Sequence, residues 1–175
     1  ELGIAVFSTP DAPTIAVAEL TVGLILNILR KITIMDSLVK AGKWEKMMGN
    51  LLNGKKIGII GFGRIGKKVA SLLEPFGCSI TYYDPFVEDG ASGLSRLSKE
   101  DLIRWAEILT LHVSTKELVL GKKELCSMKK GAWLINVSRG GTIDETSLYE
   151  LLKNGYLGGA ALDVFENEPY RGSLG

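Results

Sequence analysis

The chain has 175 residues, 46% of them hydrophobic, with 21 glycines and a net charge of +1. That length suits one domain with a full core, and the near-neutral balance gives no electrostatic case for nucleic acid or an anionic membrane as a partner. Cys78 and Cys126 fall among apolar residues in no disulfide or metal-ligand pattern, so both are expected to be small buried hydrophobes in a reducing, cytoplasmic setting, with no metal site.

Residues 4–7 predict a short strand, followed by a polar turn ending at Pro10. Asp11, Ala12, Pro13 and Thr14 are suited to cap one long helix over 14–40, closed by Gly42 and Trp44. Its apolar stretch, 15–29, is interrupted by Glu19 and Asn27. It also falls short of a bilayer core of about 30 Å, so it reads as a buried or interface helix. Leu20, Leu24, Ile28 and Ile32 recur at helical spacing, which fits either core packing or a face for a second copy. No stretch has the pattern of a signal peptide. The chain opens on Glu1 and stops at Gly175 just after a turn, and both ends are expected to be cuts from something longer.

Beyond residue 54, strand and helix alternate. Strands are expected near 56–60, 79–83, 108–113, 132–137 and 159–164, and helices near 64–75, 99–105, 121–128 and 145–154. The strands are continuous apolar runs rather than alternating ones, as in a parallel sheet covered on both faces. The reading is α/β, a doubly wound parallel sheet of Rossmann type with a long N-terminal helix. Residues 1–53 form the N-terminal strand and helix, and 54–175 form the core of the same domain. Ligands of such sheets lie at the carboxyl ends of the strands.

The first strand runs into Gly61-Phe62-Gly63-Arg64-Ile65-Gly66, a helix follows, and the second strand ends on Asp84. This is strand, glycine turn, helix, strand and acid, with the acid about twenty residues past the turn. Gly61 allows the sharp turn, Gly63 lets a diphosphate approach the backbone, and Gly66 lets the helix pack on the strand. The helix start turns free N–H groups and the positive end of its dipole toward that diphosphate. Asp84 is suited to accept both ribose hydroxyls and to repel a 2′-phosphate, which favours NAD over NADP. A bare GxGxxG is an ordinary tight turn more often than a ligand site; the flanking strand, helix and acid reverse those odds.

Two later segments carry chemistry. Asn136-Val137-Ser138-Arg139-Gly140-Gly141 puts an arginine past the fourth strand, facing the same crevice, where a guanidinium can pair with a carboxylate and polarise a carbonyl. Taken alone, a surface arginine in a glycine turn is an equally good reading. After the fifth strand, Asp163 is placed to accept from a nicotinamide carboxamide and Glu168 to orient an imidazole, while Glu166 reads as a solvated loop acid.

With these motifs the chain resembles the D-isomer-specific 2-hydroxyacid dehydrogenases, and most closely their phosphoglycerate-dehydrogenase-like members. The likeness rests on Val17-Ala18-Glu19-Leu20, Ala41-Gly42-Lys43-Trp44, the glycine turn, Tyr83-Asp84-Pro85, Leu111-His112-Val113, the Asn136–Gly140 segment, and Ala161-Leu162-Asp163-Val164-Phe165 with Glu168-Pro169. The resemblance implies that Arg139 binds the substrate's carboxylate and carbonyl and that Glu168 partners a catalytic histidine. It implies that Asp163 contacts the nicotinamide and that Arg64 and Ile65 contact the phosphates. Val113, Ser114, Val137 and Ser138 line the cofactor crevice by their place past the strands. It further implies hydride transfer between NAD and a 2-hydroxy or 2-keto acid, with phosphoglycerate a candidate substrate, and a homodimer built on the long N-terminal helix.

The chain departs from the family in three ways. The family's histidine sits in a Thr-Pro-His segment after the Glu-Pro loop, and this sequence contains none; the single histidine, His112, follows a mid-sheet strand and reads as a packed residue. Ser114 stands where the family usually has proline, and the segment after it is about two residues shorter than the family's, so cofactor affinity is where a change is expected. The separate substrate domain is absent from this chain, which by itself is expected to turn over little. The competing reading is an NAD-responsive, corepressor-like binding module on the same fold. Retention of both Arg139 and Glu168 argues for the enzyme, because a pure binding module needs neither.

Overall fold

Strands buried on both faces must find the partners of their backbone N–H and C=O groups in neighbouring strands. In the computed structural model of the chain, which describes residues 7, 9 and 11–170, five of them pair as one parallel sheet. The strands are β1 (Lys56–Ile60), β2 (Ser79–Tyr83), β3 (Ile108–Leu111), β4 (Trp133–Asn136) and β5 (Gly159–Leu162), in the spatial order β2-β1-β3-β4-β5. The chain steps outward from β1 to β2, then crosses back over β1 to β3, so the order reverses between β1 and β3. The register carries straight across: Tyr83, Ile60, Leu111, Asn136 and Leu162 lie side by side as the last residues of the five strands.

Helices cover both faces. Against one lie α1 (Ala12–Arg30) and α3 (Arg64–Leu73), packed on Ile57, Ile59, Ile108 and Ile135. Against the other lie α4 (Lys99–Trp105), α5 (Lys122–Ser127) and α6 (Glu145–Lys153), packed on Ile60, Leu109, Leu111 and Leu134. Gly58 in mid-strand makes room for α4, since a Cβ there would lie 2.9 Å from that of Ala106 and 3.0 Å from a Leu109 methyl. Below the glycine turn, Phe62 stacks on Tyr82 with ring centroids 3.9 Å apart, and both are fully buried.

The structure corrects several expectations. The helix begins at Ala12, two residues before Thr14, and its N-cap Asp11 makes no side-chain capping bond. The single helix over 14–40 is two: α1 stops at Arg30, and α2 (Ile32–Lys40) starts after Lys31, whose φ is 56°. The break is held by Asn27, whose side-chain oxygen accepts both the N–H of Thr33 (3.0 Å) and its hydroxyl (2.8 Å). Gly42, at φ 72°, ends α2 as expected. The last three strands stop two, one and two residues short of their expected ends, because Val113, Val137 and Val164 prolong the apolar runs into the loops.

Length does not exclude α1 from a membrane either: its 19 residues reach a mean hydropathy of 1.8, enough to cross one by length and composition. Packing says more than length here, because Ala18, Thr21, Ile25 and Leu29 are buried, with the three apolar ones in the core cluster shared with α3 and the sheet. Cys78 is half-buried and its thiol pKa is raised by burial, whereas Cys126 is exposed on the outer side of α5, contrary to expectation. Of the strand expected over 4–7, only Phe7 lies within the described residues, and it is exposed outside any strand.

Candidate functional site

The strand order reverses between β1 and β3, the place where such sheets take their ligands, and the glycine turn lies at that reversal. Gly61 sits at φ 91°, and its N–H donates to the carbonyl of Tyr83 at 2.9 Å. A methyl on Gly61 would lie 2.6 Å from the carbonyl oxygen of His112, so the turn is pressed against the end of β3. A methyl on Gly66 would lie 2.2 Å from the carbonyl oxygen of Gly61, so the first turn of α3 rests on the loop itself. Gly63, the N-cap of α3, is the opposite case: nothing lies within 4 Å of where its Cβ would be. Above Gly63 is open space at an uncapped helix start, which fits a diphosphate.

Arg64 is exposed, and its Nε lies 3.4 Å from a carboxylate oxygen of Asp11, while Ile65 is half-buried against the α1–α3 core. Asp84 is buried beside the turn. One of its oxygens accepts the N–H of Phe62 at 2.7 Å and the other the N–H of Phe86 at 2.8 Å. Each oxygen keeps a second lone pair, so the carboxylate is pinned in orientation without being used up.

His112 is held from both sides of the chain. Its N–H donates to the carbonyl of Ile60 at 2.8 Å, and Nε2 lies 3.0 Å from the hydroxyl of Thr110. Nδ1 is buried without a hydrogen-bond partner among the described residues. Burial pushes the imidazole pKa from 6.5 down to about 4, so it is neutral at physiological pH. This fits a packed strand-end residue. Val113, next along, is half-buried, and Ser114 is exposed.

Past β4 the chain turns over a buried amide. The Asn136 side chain donates to the hydroxyl of Thr142 (3.1 Å) and to the carbonyl of Arg139 (3.3 Å), and it accepts the N–H (3.0 Å) and hydroxyl (2.7 Å) of Ser138. Val137 and Ser138 are buried as a result, while the Arg139 side chain stands exposed with Nη1 donating to the carbonyl of Ser138 at 2.7 Å. Past β5, the Asp163 N–H donates to the carbonyl of Asn136 at 2.9 Å, which sets the start of that loop beside the Arg139 turn. The side chains of Asp163 and Glu168 are exposed, and Glu168 Oε1 accepts the N–H of Phe165 at 3.0 Å.

The sequence-predicted residues therefore lie at one end of the sheet, on the loops and in the first turn of α3, and the residues directly after the aligned strand ends are Asp84, Gly61, His112, Val137 and Asp163 in spatial order. Sequence reasoning missed three supports: Asn136, Gly140 and Glu145. Only Asn136 carried a signal, as a polar residue closing a buried strand.

Comparison with known proteins bears on the same crest. Residues 22–173 match the family described as D-isomer specific 2-hydroxyacid dehydrogenase, NAD binding domain. The D-3-phosphoglycerate dehydrogenase of Methanocaldococcus jannaschii is 42% identical over 97% of this chain and 34% of its own length. The glyoxylate reductase of Thermococcus litoralis is 41% identical over 96% of this chain and 55% of its own length. Among solved structures, a D-lactate dehydrogenase from Aquifex aeolicus complexed with NAD and lactic acid superposes with a TM-score of 0.86, at 30% identity, over 95% of this chain and 52% of that one. The chain thus spans between a third and a little over half of the length of these relatives.

Proposed function

The chain belongs to the D-isomer-specific 2-hydroxyacid dehydrogenases, as their NAD-binding domain, and from that premise we propose that it supplies the cofactor half of an enzyme acting on a 2-hydroxy or 2-keto acid, with D-3-phosphoglycerate a candidate substrate. NAD, when bound, supplies the hydride acceptor, and NADH the donor. Gly61, Gly63 and Gly66 hold the backbone so that the first N–H groups of α3 meet the diphosphate, with Arg64 and Ile65 beside it. Asp84 takes ribose hydroxyls on its free lone pairs. Val113 and Ser114 border the adenine side. Val137, Ser138 and Asp163 border the nicotinamide.

Arg139 pairs with the substrate carboxylate through its remaining donors, and Glu168 orients an imidazole supplied from outside this chain. General acid–base catalysis by such an imidazole contributes roughly 10²–10⁴-fold in rate, and His112, half-buried and neutral at the end of β3, is not placed for it; the isolated chain is expected to bind cofactor and turn over little. The substrate completes its contacts in a cleft with a second domain. A homodimer forms through the N-terminal helices, supported by the exposed apolar side chains Ile15, Leu20, Ile32, Ile34 and Val39, with Trp44 and Met48 just beyond. The setting is cytoplasmic, and neither nucleic acid nor membrane is a partner.

The observation that carries this reading is the Asp84 carboxylate held against the N–H of Phe62 inside the glycine turn, because it joins acid and turn into one preformed surface. NADH titration of this chain tests it. Asp84→Ala is expected to weaken binding by about tenfold or more, as for loss of a charge-assisted hydrogen bond. Undiminished affinity would remove Asp84 from the ribose site.

A further inference from the structure

We infer that Glu145 is a positioning residue for the loop that carries Asp163 and Glu168, and that it acts with the bare Cα of Gly140 to set that loop against Arg139. The inference deepens the reading of Arg139 and Glu168 above and rests on it for its catalytic meaning. Glu145 is the first residue of α6. An acid there is ordinarily explained by the helix dipole alone. Here its Oε1 also leaves the helix and accepts the N–H of Glu166 at 2.6 Å, 21 residues along the chain.

The neighbouring amide, that of Phe165, donates to Glu168. Two successive amides are therefore tied by two carboxylates, one from within the loop and one from α6. The carbonyl of Phe165 packs on Gly140, where a Cβ would lie 1.9 Å from its oxygen and 2.5 Å from its carbon. Gly140 directly follows Arg139, whose turn is fixed from below by Asn136. The segment 139–145 thus grips the loop at both of its own ends. The start of α6 is itself secured by Asp144, which accepts the N–H of Ser147 at 3.0 Å and its hydroxyl at 2.6 Å. Without Glu145 the amide of Glu166 loses its acceptor, and the loop loses one of the contacts that hold Glu168 at a fixed offset from the guanidinium.

Hydrogen–deuterium exchange on this chain reads the loop whether or not the enzyme reading holds. Glu145→Ala is expected to speed exchange at the Glu166 amide by about tenfold or more, and Glu145→Gln, which keeps an oxygen acceptor, to stay within about threefold of the parent. In the protein complete with its substrate domain, Glu145→Ala is expected to lower kcat about tenfold and shift its pH profile, with Glu145→Gln restoring both.

Parent-like exchange at Glu166 in Glu145→Ala would overturn the inference, as would Glu145→Gln exchanging as fast as Glu145→Ala. Should Glu145→Ala not fold, Gly140→Ala takes its place: the added methyl must displace Phe165, and unchanged exchange at residues 165 and 166 would overturn the inference equally. Absence of keto-acid reduction in the parent enzyme, with the exchange results as expected, would sink the enzyme reading and leave the loop mechanism standing.

Discussion

The turn after β1 and the paired loops after β4 and β5 both present groups at the crest of the sheet, and they are held there by different means. The first is held mostly by backbone packing, with the Asp84 carboxylate on the N–H of Phe62 as a side-chain tie. Gly61 presses on the carbonyl of His112, and Gly66 on that of Gly61, with no side chain between. The second is held largely by side chains reaching across the sequence, from Asn136 to Thr142 and from Glu145 to Glu166. A surface made by backbone contact has almost no room for substitution. One made by reaching side chains can be re-aimed by a single polar change.

The sharpest way to break this contrast is Gly66→Ala. The new methyl would sit 2.2 Å from a backbone carbonyl, so α3 must back away from the turn, and a loss of about 3 kcal/mol or more is expected by denaturant unfolding, at or beyond the upper end for overpacking. A loss below about 1 kcal/mol would mean the turn is no more rigid than the loops.

His112, which backs the same turn, tests the contrast through pH. Its folded-state pKa of about 4 lies below the ordinary 6.5, so the unfolded chain takes up the proton first. Stability is then full above the ordinary value, falls as pH drops through the window between the two, and levels off below the lower one. The total loss amounts to about 3 kcal/mol, and His112→Gln is expected to flatten that part of the pH–stability curve. An identical slope in the variant would assign the acid sensitivity elsewhere.

The smallest effect belongs to the second region. Asp144→Ala removes the N-cap of α6 and is expected to lower stability by about 1 kcal/mol. A loss matching that of Gly66→Ala would erase the distinction between the two kinds of support.

What was legible in the sequence follows the same division. The glycine turn, Asp84 and the strand runs left readable marks: the glycines form a short motif, the acid follows at a set spacing, and buried parallel strands leave continuous apolar runs. The break at Lys31 was hidden because its cause is the Asn27 amide reaching past the helix end to Thr33, which leaves no mark on the apolar period. Strand ends were overrun because Val113, Val137 and Val164 are apolar for loop packing rather than for the ladder. Arg139 and Glu168 were singled out by their place past strands and by resemblance, but the groups that hold their loops were not. Gly140 and Glu145 acquire meaning only against Phe165 and Glu166, partners more than twenty residues away.

The even register at the tops of the five strands acts as a ruler. Neighbouring strands lie about 4.8 Å apart, so the residues from Asp84 to Asp163 mark four intervals, roughly 19 Å, at a pitch set by the backbone alone. An inserted residue inside any strand would shift one mark and turn its alternate side chains to the wrong face. Insertions between the marks, as in the stretch from Ser114 to Val119, leave the scale untouched. Changes of length are therefore absorbed in the connections, while the spacing of the crest positions stays constant.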